Sequence, residues 1–164
     1  MQAKDVIEKL GLLPLEPDGG FFAETYKSPD KMVTEGGRER SLASAIYYLI
    51  TPKSFSRFHR LKHTEIYHFY GGATADLTLI FPDGIWKTVR LGGNFLAGET
   101  PQFVVPPFTW QAVTIASQEK WDWSLLGTTM APGFDFADFE MAVRQNLLEE
   151  YPSYQQQILE LTGD

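Results

Sequence analysis

Short apolar or alternating stretches, separated by turn residues, fill most of the chain between positions 21 and 130. These stretches are rich in β-branched and aromatic residues, and Gly, Pro and Asp interrupt them about every ten residues. This spacing is typical of an all-β sandwich or barrel. The predicted strands cover residues 21–26, 42–51, 55–61, 65–70, 76–81, 85–91, 102–105, 110–115 and 121–126.

The two ends of the chain have helical rather than strand spacing. Residues 4–12 predict a short helix, and Asp135 is placed to cap a second helix from Phe136 to about Glu150. Ser153 and Gln156 form a predicted capping box for a last short helix. We expect the C-terminal helices to pack on the outside of the β-structure as a cover.

A single domain over residues 1–164 is the natural expectation for a chain of this length. Its β-barrel core is predicted at about 21–130 and its helical cover at about 135–162. Residues 28–40 are polar and contain Pro29, Gly36 and Gly37, so they predict a loop that is either mobile or part of a pocket rim.

The amino-acid composition limits the classes of molecule that the protein is expected to bind. The net charge of −7 argues against nucleic acid, and the N-terminus has no apolar run long enough for a signal peptide or a membrane span. The absence of cysteine leaves His, Asp and Glu as the metal ligands available. We therefore expect a cytoplasmic protein whose partner is a small molecule, with no nucleic acid and no membrane.

The segment from residue 55 to residue 72 concentrates the candidate chemistry, because it holds all three histidines of the chain and Glu65. Strand alternation places Glu65 and Tyr67 on one face. His68 falls on the other face unless a bulge intervenes, so it is a candidate either for the pocket or for an interface. His63 lies in the connection between two strands, where its direction cannot be read.

A buried Glu65 needs a partner, since an unpaired carboxylate inside a protein is costly. His59, or Arg57 on the same predicted strand face, can pair with it, and Arg57 is also a candidate for binding an anionic group. A His–Glu pair suits general acid–base catalysis. Tyr47 lies on a strand that can face the interior, and we include it with Tyr67 as a substrate-binding candidate.

Four segments of the chain resemble the cupin superfamily, and within it the branch known as cupin 5 or DUF985: residues 12–28, 45–72, 103–112 and 131–142. The resemblance implies a double-stranded β-helix, the jelly-roll barrel of cupins, with a pocket inside the barrel. It also implies a homodimer, which would shield the edge strands of the barrel.

The first cupin motif is matched in part. His59 stands at its first His, Glu65 at its Glu and Gly72 at its Gly, but Leu61 replaces its second His. In the second motif Pro106 matches, Phe108 replaces the Gly and Gln111 replaces the His.

These departures bear on metal binding. Leucine cannot ligate and a glutamine amide is a poor ligand for first-row metals. We expect no cofactor. The alternative is a divalent metal held by His59, Glu65 and Gln111. In either case Gln111 is expected to form a hydrogen bond in the pocket.

Three functions remain open from the sequence. The first is binding of a small polar or carbohydrate-like molecule, with metal-independent epimerase or isomerase chemistry by His59 and Glu65; metal-free cupin epimerases set this fold-level analogy. The second is a metal-dependent enzyme, a dioxygenase or hydrolase, with a degenerate ligand set. The third is a non-enzymatic sensor or binding protein, so the sequence leaves enzymatic activity undecided.

Overall fold

The computed structural model describes residues 1–34, 36–116 and 121–163, and short strands dominate it. Position 35, inside the predicted rim loop, lies outside the described residues. The elements are α1 (Ala3–Leu10), β1 (Leu13–Pro14), β2 (Phe21–Lys27), β3 (Lys31–Val33), β4 (Glu39–Ser41), β5 (Ser44–Ile50), β6 (Ser56–Leu61), β7 (Glu65–Gly72), β8 (Ala75–Ile80), β9 (Trp86–Leu91), β10 (Gln102–Val105), β11 (Trp110–Ile115), β12 (Ser124–Met130), β13 (Phe139–Met141), α2 (Arg144–Glu150) and α3 (Gln155–Leu161).

The long strands form two antiparallel sheets. The first has the order β1-β2-β5-β12-β7-β10 and the second the order β13-β6-β11-β8-β9, while β3 and β4 form a separate hairpin. Apolar side chains from both sheets meet in one core cluster that includes Tyr48, Tyr67, Leu77 and Leu126. The predicted all-β class is therefore confirmed.

The helices cover the outer faces of the sheets. Helix α1 packs Val6 against Leu49 and Trp123 of the first sheet. Helices α2 and α3 pack Leu147 and Ile158 against the second sheet. No helix in the described part of the chain is long and apolar enough to cross a membrane. The cytoplasmic location stays a prediction.

The predicted long C-terminal helix is wrong in its first half. Residues 136–138 form a 3₁₀ turn, β13 follows, and α2 begins only at Arg144. Asp135 does cap the turn, because its Oδ1 accepts from Ala137 N at 2.8 Å. Strand β13 pairs with β6, Met141 opposite His59, so pairing at a sheet edge overrides the helical spacing of the apolar residues.

Three smaller predictions also need correction. The loop at 28–40 contains the β3–β4 hairpin. The last strand runs over β12, later than the predicted 121–126. The last helix, α3, has no side-chain cap, because Ser153 lies within the 3₁₀ turn that precedes it.

Two irregularities in the strands decide which side chains face inward. On β6, Ser56 and His59 are three residues apart but pair with Val113 and Gln111, which are two apart, so β6 holds one extra residue. On β2, the register with β5 shifts between Glu24 and Tyr26. Simple alternation therefore fails on both strands.

Phe108 occupies the left-handed region with φ of 61°. It stands where the second cupin motif has glycine, the residue that adopts this conformation at least cost. A non-glycine residue costs about 1–2 kcal/mol there. The turn is retained because Phe108 N donates to Leu61 O at 2.8 Å, which joins the start of β11 to the end of β6.

Candidate functional site

A cavity of about 380 Å³ opens between the two sheets. This volume falls in the range of small-molecule sites, roughly 300–1,000 Å³. The cavity is lined by Leu15, Glu16, Asp18, Phe22, Glu24, Lys27, Ser44, Ile46, Tyr48, His59, Leu61, Glu65, Tyr67, Thr128, Met130, Phe134, Asp135, Phe136 and Phe139.

His59, Glu65 and Gln111 meet at the buried end of this cavity. Gln111 Nε2 lies 2.7 Å from Glu65 Oε2, to which it donates, and 3.1 Å from His59 Nε2. His59 and Glu65 line the cavity, whereas Gln111 lies behind them and is 1% exposed. The structure thus brings the predicted pair together and places the amide between them as a brace.

Asp18 is a site residue that the sequence analysis missed. His59 Nδ1 lies 3.0 Å from Asp18 Oδ1 and 2.9 Å from the carbonyl oxygen of Arg57. Ser56 Oγ also donates to Asp18 Oδ1, at 2.9 Å. Asp18 lies in a Pro-Asp-Gly-Gly segment, whose residues are typical of a turn, so a turn alone was enough to explain its presence. Its position in the segment 12–28 that carries the cupin resemblance was the one available signal.

Both ring nitrogens of His59 are therefore engaged with the protein. Its Nδ1 faces Asp18 and its Nε2 faces Gln111, while the ring stacks on Phe139 with 5.2 Å between centroids. In this arrangement the imidazole cannot exchange a proton directly with a molecule in the cavity. Glu65 has capacity left, because a carboxylate offers about four lone-pair positions.

Opposing effects set the protonation of the pair. Burial lowers the pKa of His59, but the charge and hydrogen bond of Asp18, aided by Glu65, outweigh it and raise this pKa to about 9. Burial raises the pKa of Glu65, and His59, Thr128 and Gln111 oppose this rise only in part. A raised carboxyl pKa suits an acid or base that works near neutral pH.

The orientation of the Gln111 amide is linked to these protons. The amide nitrogen between His59 and Glu65 fits a neutral imidazole and an ionised carboxylate, both of which accept. Charged His59 presents an N–H to the amide, which must then turn its oxygen inward and face a protonated Glu65. Gln111 Oε1 has no partner among the described residues, so this rotation breaks no bond at that atom.

Tyr67 is the predicted substrate-binding residue that the structure does place on the cavity. Among the described residues its hydroxyl has no hydrogen-bond partner, whereas Tyr48 donates to Gly19 O at 2.7 Å. Burial, followed by the charges of Glu65 and Asp18, raises the pKa of Tyr67 well above its ordinary value. Tyr67 therefore stays a phenol and can donate to a bound molecule.

Three other substrate-binding candidates, Arg57, Tyr47 and His68, are not among the residues that line the cavity. The extra residue on β6 turns Arg57 away from His59, and Arg57 lies against Gly163. Tyr47 and His68 are on the outer face of the first sheet, where both lie beside Tyr70. His68 Nε2 is bonded there to Thr129 Oγ1 at 3.0 Å.

A second missed feature is the wall formed by three phenylalanines, which we call the aromatic wall: Phe134, Phe136 and Phe139. Their ring centroids are 5.0–6.3 Å apart, in edge-to-face arrangements. The helix predicted from Phe136 to about Glu150 included the last two. Their backbone is held by buried Arg40, which donates to Gly133 O at 2.5 Å and to Asp138.

The residues at the buried end do not fit a tightly held divalent metal. Among the described residues, no group of three or more His, Asp or Glu side chains could hold an ion. The one imidazole and one carboxylate are joined by an amide nitrogen, which is not a ligand, and Leu61 stands where a further ligand would be. We derive no chemistry through a metal.

Replacing Asp18 by asparagine is expected to lower the pKa of His59 well below its wild-type value of about 9. Without the carboxylate, only Glu65 and the Arg57 carbonyl oppose the lowering effect of burial. NMR titration of the His59 ring in both proteins measures this shift. Asp83→Asn, on an exposed turn, is the matched control and should leave the titration unchanged.

The same substitution changes how stability depends on pH. In the wild type His59 binds its proton more tightly when folded, so its stabilisation is complete below pH 6.5 and is lost as pH rises through 9. This amounts to about 3 kcal/mol. Urea denaturation at several pH values should show this decline only in the wild type; an equal decline in Asp18→Asn would contradict the assignment.

Comparison with known proteins agrees with this architecture. A family profile described as the cupin superfamily (DUF985) matches residues 4–142. An uncharacterized protein of Saccharomyces cerevisiae is 34% identical over 133 residues. That match covers 74% of this chain and 66% of the yeast protein, so the chain spans just under two thirds of its relative.

Solved structures share the fold. A hypothetical protein from Leishmania major superposes with a TM-score of 0.94 at 29% identity, over 100% of both chains. Oxalate decarboxylase from Bacillus subtilis superposes with a TM-score of 0.55 at 12% identity, over 93% of this chain and 37% of the enzyme, which shows the fold alone. The protein has the double-stranded β-helix fold and belongs to the cupin superfamily, in the family DUF985.

Proposed function

We propose that the protein binds a small polar or carbohydrate-like molecule in the cavity and moves a proton on it without a metal, as an isomerase or epimerase does. The observation that carries this proposal is Glu65: a buried carboxyl with a raised pKa on the cavity surface, next to the unpartnered hydroxyl of Tyr67. The enzymatic function rests on this pair.

Glu65 and Tyr67 are two residues apart on β7, so their side chains are neighbours on the same face. In the proposed step Glu65 takes a proton from a carbon next to a carbonyl group, and the electron pair of that C–H bond moves to the carbonyl oxygen. The Tyr67 hydroxyl donates a hydrogen bond to this oxygen. A proton that returns to the opposite face of the same carbon completes epimerisation. A proton that is delivered to the neighbouring carbon completes isomerisation, with the hydroxyl proton of the enediol passing to the other oxygen.

The other polar groups of the site act behind Glu65. His59 and Gln111 hold the carboxylate in position, and Asp18 orients the imidazole. We therefore assign the direct proton transfer to Glu65 and a positioning role to His59. The remaining wall is mixed: the aromatic wall, Phe22 and Ile46 offer apolar surface to the face of a sugar-like ring.

The proposal is tested by proton exchange with solvent. Wild-type protein is incubated in D₂O with a panel of aldoses, ketoses and their amino derivatives, and ¹H NMR follows the loss of carbon-bound protons. We expect deuterium to enter one class of compound next to its carbonyl carbon. If compounds of the panel bind but none of them exchanges a proton, the enzymatic proposal is contradicted and a non-enzymatic sensor is favoured.

One observation favours the metal-dependent alternative. An imidazole whose Nδ1 donates to a carboxylate, as His59 does to Asp18, is also the usual arrangement of a metal-bound histidine. Metal analysis of the purified protein separates the two candidates. A near-stoichiometric metal that is lost in His59→Ala would favour a metal-dependent dioxygenase or hydrolase over the metal-free proposal.

We also propose a homodimer, formed through the outer face of the first sheet. Tyr26, Tyr47, Tyr70 and Val104 are 36–53% exposed there, an apolar surface that a second copy would cover. Light scattering after size exclusion should give twice the chain mass. Tyr70→Glu should give the monomer mass, and a monomeric wild type would contradict the proposal.

A further inference from the structure

The mouth of the cavity carries more negative than positive charge. We define the mouth as the lining residues that are exposed or half-buried and charged: Glu16, Glu24, Lys27 and Asp135. Lys27 is its one cation among the described lining residues. Asp135 Oδ2 is 3.7 Å from Arg40 Nε and is partly balanced by it, but no ion pair is recorded for Glu16 or Glu24 in the described part of the chain.

The buried end of the cavity is also not cationic. Asp18 and Glu65 are 7% exposed each, and among the described residues His59, at 3% exposed, is the group in contact with Asp18 that can carry a positive charge. With His59 neutral and Glu65 ionised this end carries two negative charges, and with His59 charged and Glu65 protonated it carries no net charge. Neither state provides a binding site for an anion.

Apart from Lys27, the described part of the wall lacks the side chains that usually bind phosphate or carboxylate. The described lining contains no arginine. Arg40, whose guanidinium lies beside the lining residue Asp135, is occupied by Asp138 and by Gly133 O. The 3₁₀ turn at the mouth does not offer the N–H of Ala137 to a ligand, because this group already donates to Asp135 Oδ1. A ligand phosphate would therefore meet carboxylates in place of the fork of donors that it needs.

We infer that the cavity selects a positively charged, amine-bearing small molecule, such as an amino sugar, and rejects its phosphorylated counterpart. This inference rests on the proposed function and names the substrate class of the same site. The ammonium group lies at the mouth, between the carboxylates of Glu16 and Glu24, with the rings of the aromatic wall beside it. The uncharged part of the molecule extends inward to Glu65 and Tyr67.

Charge also accounts for entry into the cavity. Clefts lined by one sign of charge raise the local concentration of oppositely charged ligands and repel those of the same sign. The net charge of −7 on the whole chain acts in the same direction. The preference for the amine should therefore weaken as salt is added, because the mouth carboxylates are exposed to solvent.

A matched series of sugars tests the inference. Glucosamine, glucose and glucose 6-phosphate are titrated into wild-type protein at low salt, and calorimetry measures each affinity. We expect glucosamine to bind about tenfold more tightly than glucose, and glucose 6-phosphate to bind at least about tenfold more weakly than glucose. Raising the salt concentration to 0.5 M should reduce the differences in affinity among the three sugars.

Variants at the mouth assign the selectivity to named residues. The double substitution Glu16→Gln with Glu24→Gln should reduce the preference for glucosamine over glucose to about twofold. Glu149→Gln with Glu160→Gln, on the surface of α2 and α3, changes the net charge equally and should leave the preference intact. Circular dichroism shows whether each variant is folded.

The outcomes separate the two levels of the proposal. If glucose 6-phosphate binds as tightly as glucosamine, the charge inference is overturned while small-molecule binding stands. If the series is ranked as expected but both double variants behave alike, the selectivity does not reside in the mouth and the inference is overturned as well. If none of the three sugars binds, the inference of an amino-sugar ligand is overturned, whereas the proposed function is decided separately by proton exchange on the wider panel in D₂O.

Discussion

Glu65→Gln is expected to reduce proton exchange on the bound compound at least about 100-fold, while the affinity of the protein for that compound changes by less than about threefold. The amide keeps the shape of the side chain. Its oxygen can still accept hydrogen bonds from Gln111 and Thr128, the residues that donate to Glu65 in the wild type. It cannot take up a proton. The rate is followed by ¹H NMR in D₂O and the affinity by calorimetry, both with the compound that exchanges with the wild type.

Folding is not expected to obscure this result. Burial raises the pKa of Glu65, which means that the folded protein disfavours the charged form of this side chain. A neutral amide of the same size should leave the free energy of unfolding unchanged or increase it, as is common when a functional residue is replaced. Loss of exchange in a destabilised protein would not be the predicted result.

A control separates the charge at this site from charge in general. Glu140→Gln removes a carboxylate from the exposed edge strand β13, where it pairs with Arg60 outside the cavity. Its exchange rate should equal that of the wild type. Full exchange in Glu65→Gln would exclude Glu65 as the proton-transferring group, and an equal loss in both variants would exclude a specific role for it.

The sequence predicted the fold better than it predicted the site. Period-two alternation and regular turn residues are local properties, so eight of the nine predicted strands were located to within two residues at both ends. The proximity of His59 and Glu65 was also predicted from the sequence. In the structure the amide of Gln111 lies between them, because Gln111 on β11 is opposite His59 on β6. This register brings residues of the two cupin motifs together.

Features set by long-range contacts were missed. The position of Arg57 depends on an extra residue in β6, which is visible only when β6 is paired with β11. Asp18 reaches His59 from a turn 41 positions away in the chain, and no local pattern encodes that distance. Phe139 was assigned to a helix because its spacing to the next apolar residues is helical, but an open edge of the second sheet was available to pair with it.

The buried ion pair behind the aromatic wall carries the largest expected effect on stability. Replacing Arg40 by methionine should lower the free energy of unfolding by about 3–5 kcal/mol, because it leaves the carboxylate of Asp138 buried with weaker partners. The two side chains are 2% and 1% exposed, and Arg40 also holds Gly133 O. Urea denaturation measures the change, which corresponds to a fall in Tm of about 10 °C.

The loss should depend on pH in a defined direction. Burial raises the pKa of Asp138, but the hydrogen bond and charge of Arg40, with His63 and Arg38, lower it overall, so its stabilisation is present at neutral pH and lost on acidification. In Arg40→Met the pKa of Asp138 should rise, because Arg38 and His63 alone oppose burial less strongly, and protonation of Asp138 then removes part of the cost of the buried charge. The difference between wild type and variant should therefore be smaller at pH 4.5 than at pH 7.

Arg60→Met is the matched control, since it removes another arginine–carboxylate pair beside the same segment. Arg60 contacts Glu140 through two hydrogen bonds, but these side chains are 35% and 56% exposed. Its loss should cost no more than about 1 kcal/mol. If Arg40→Met costs as little as this control, or if combining it with Asp138→Asn adds a further full loss, the buried pair is not what holds the aromatic wall against the cavity.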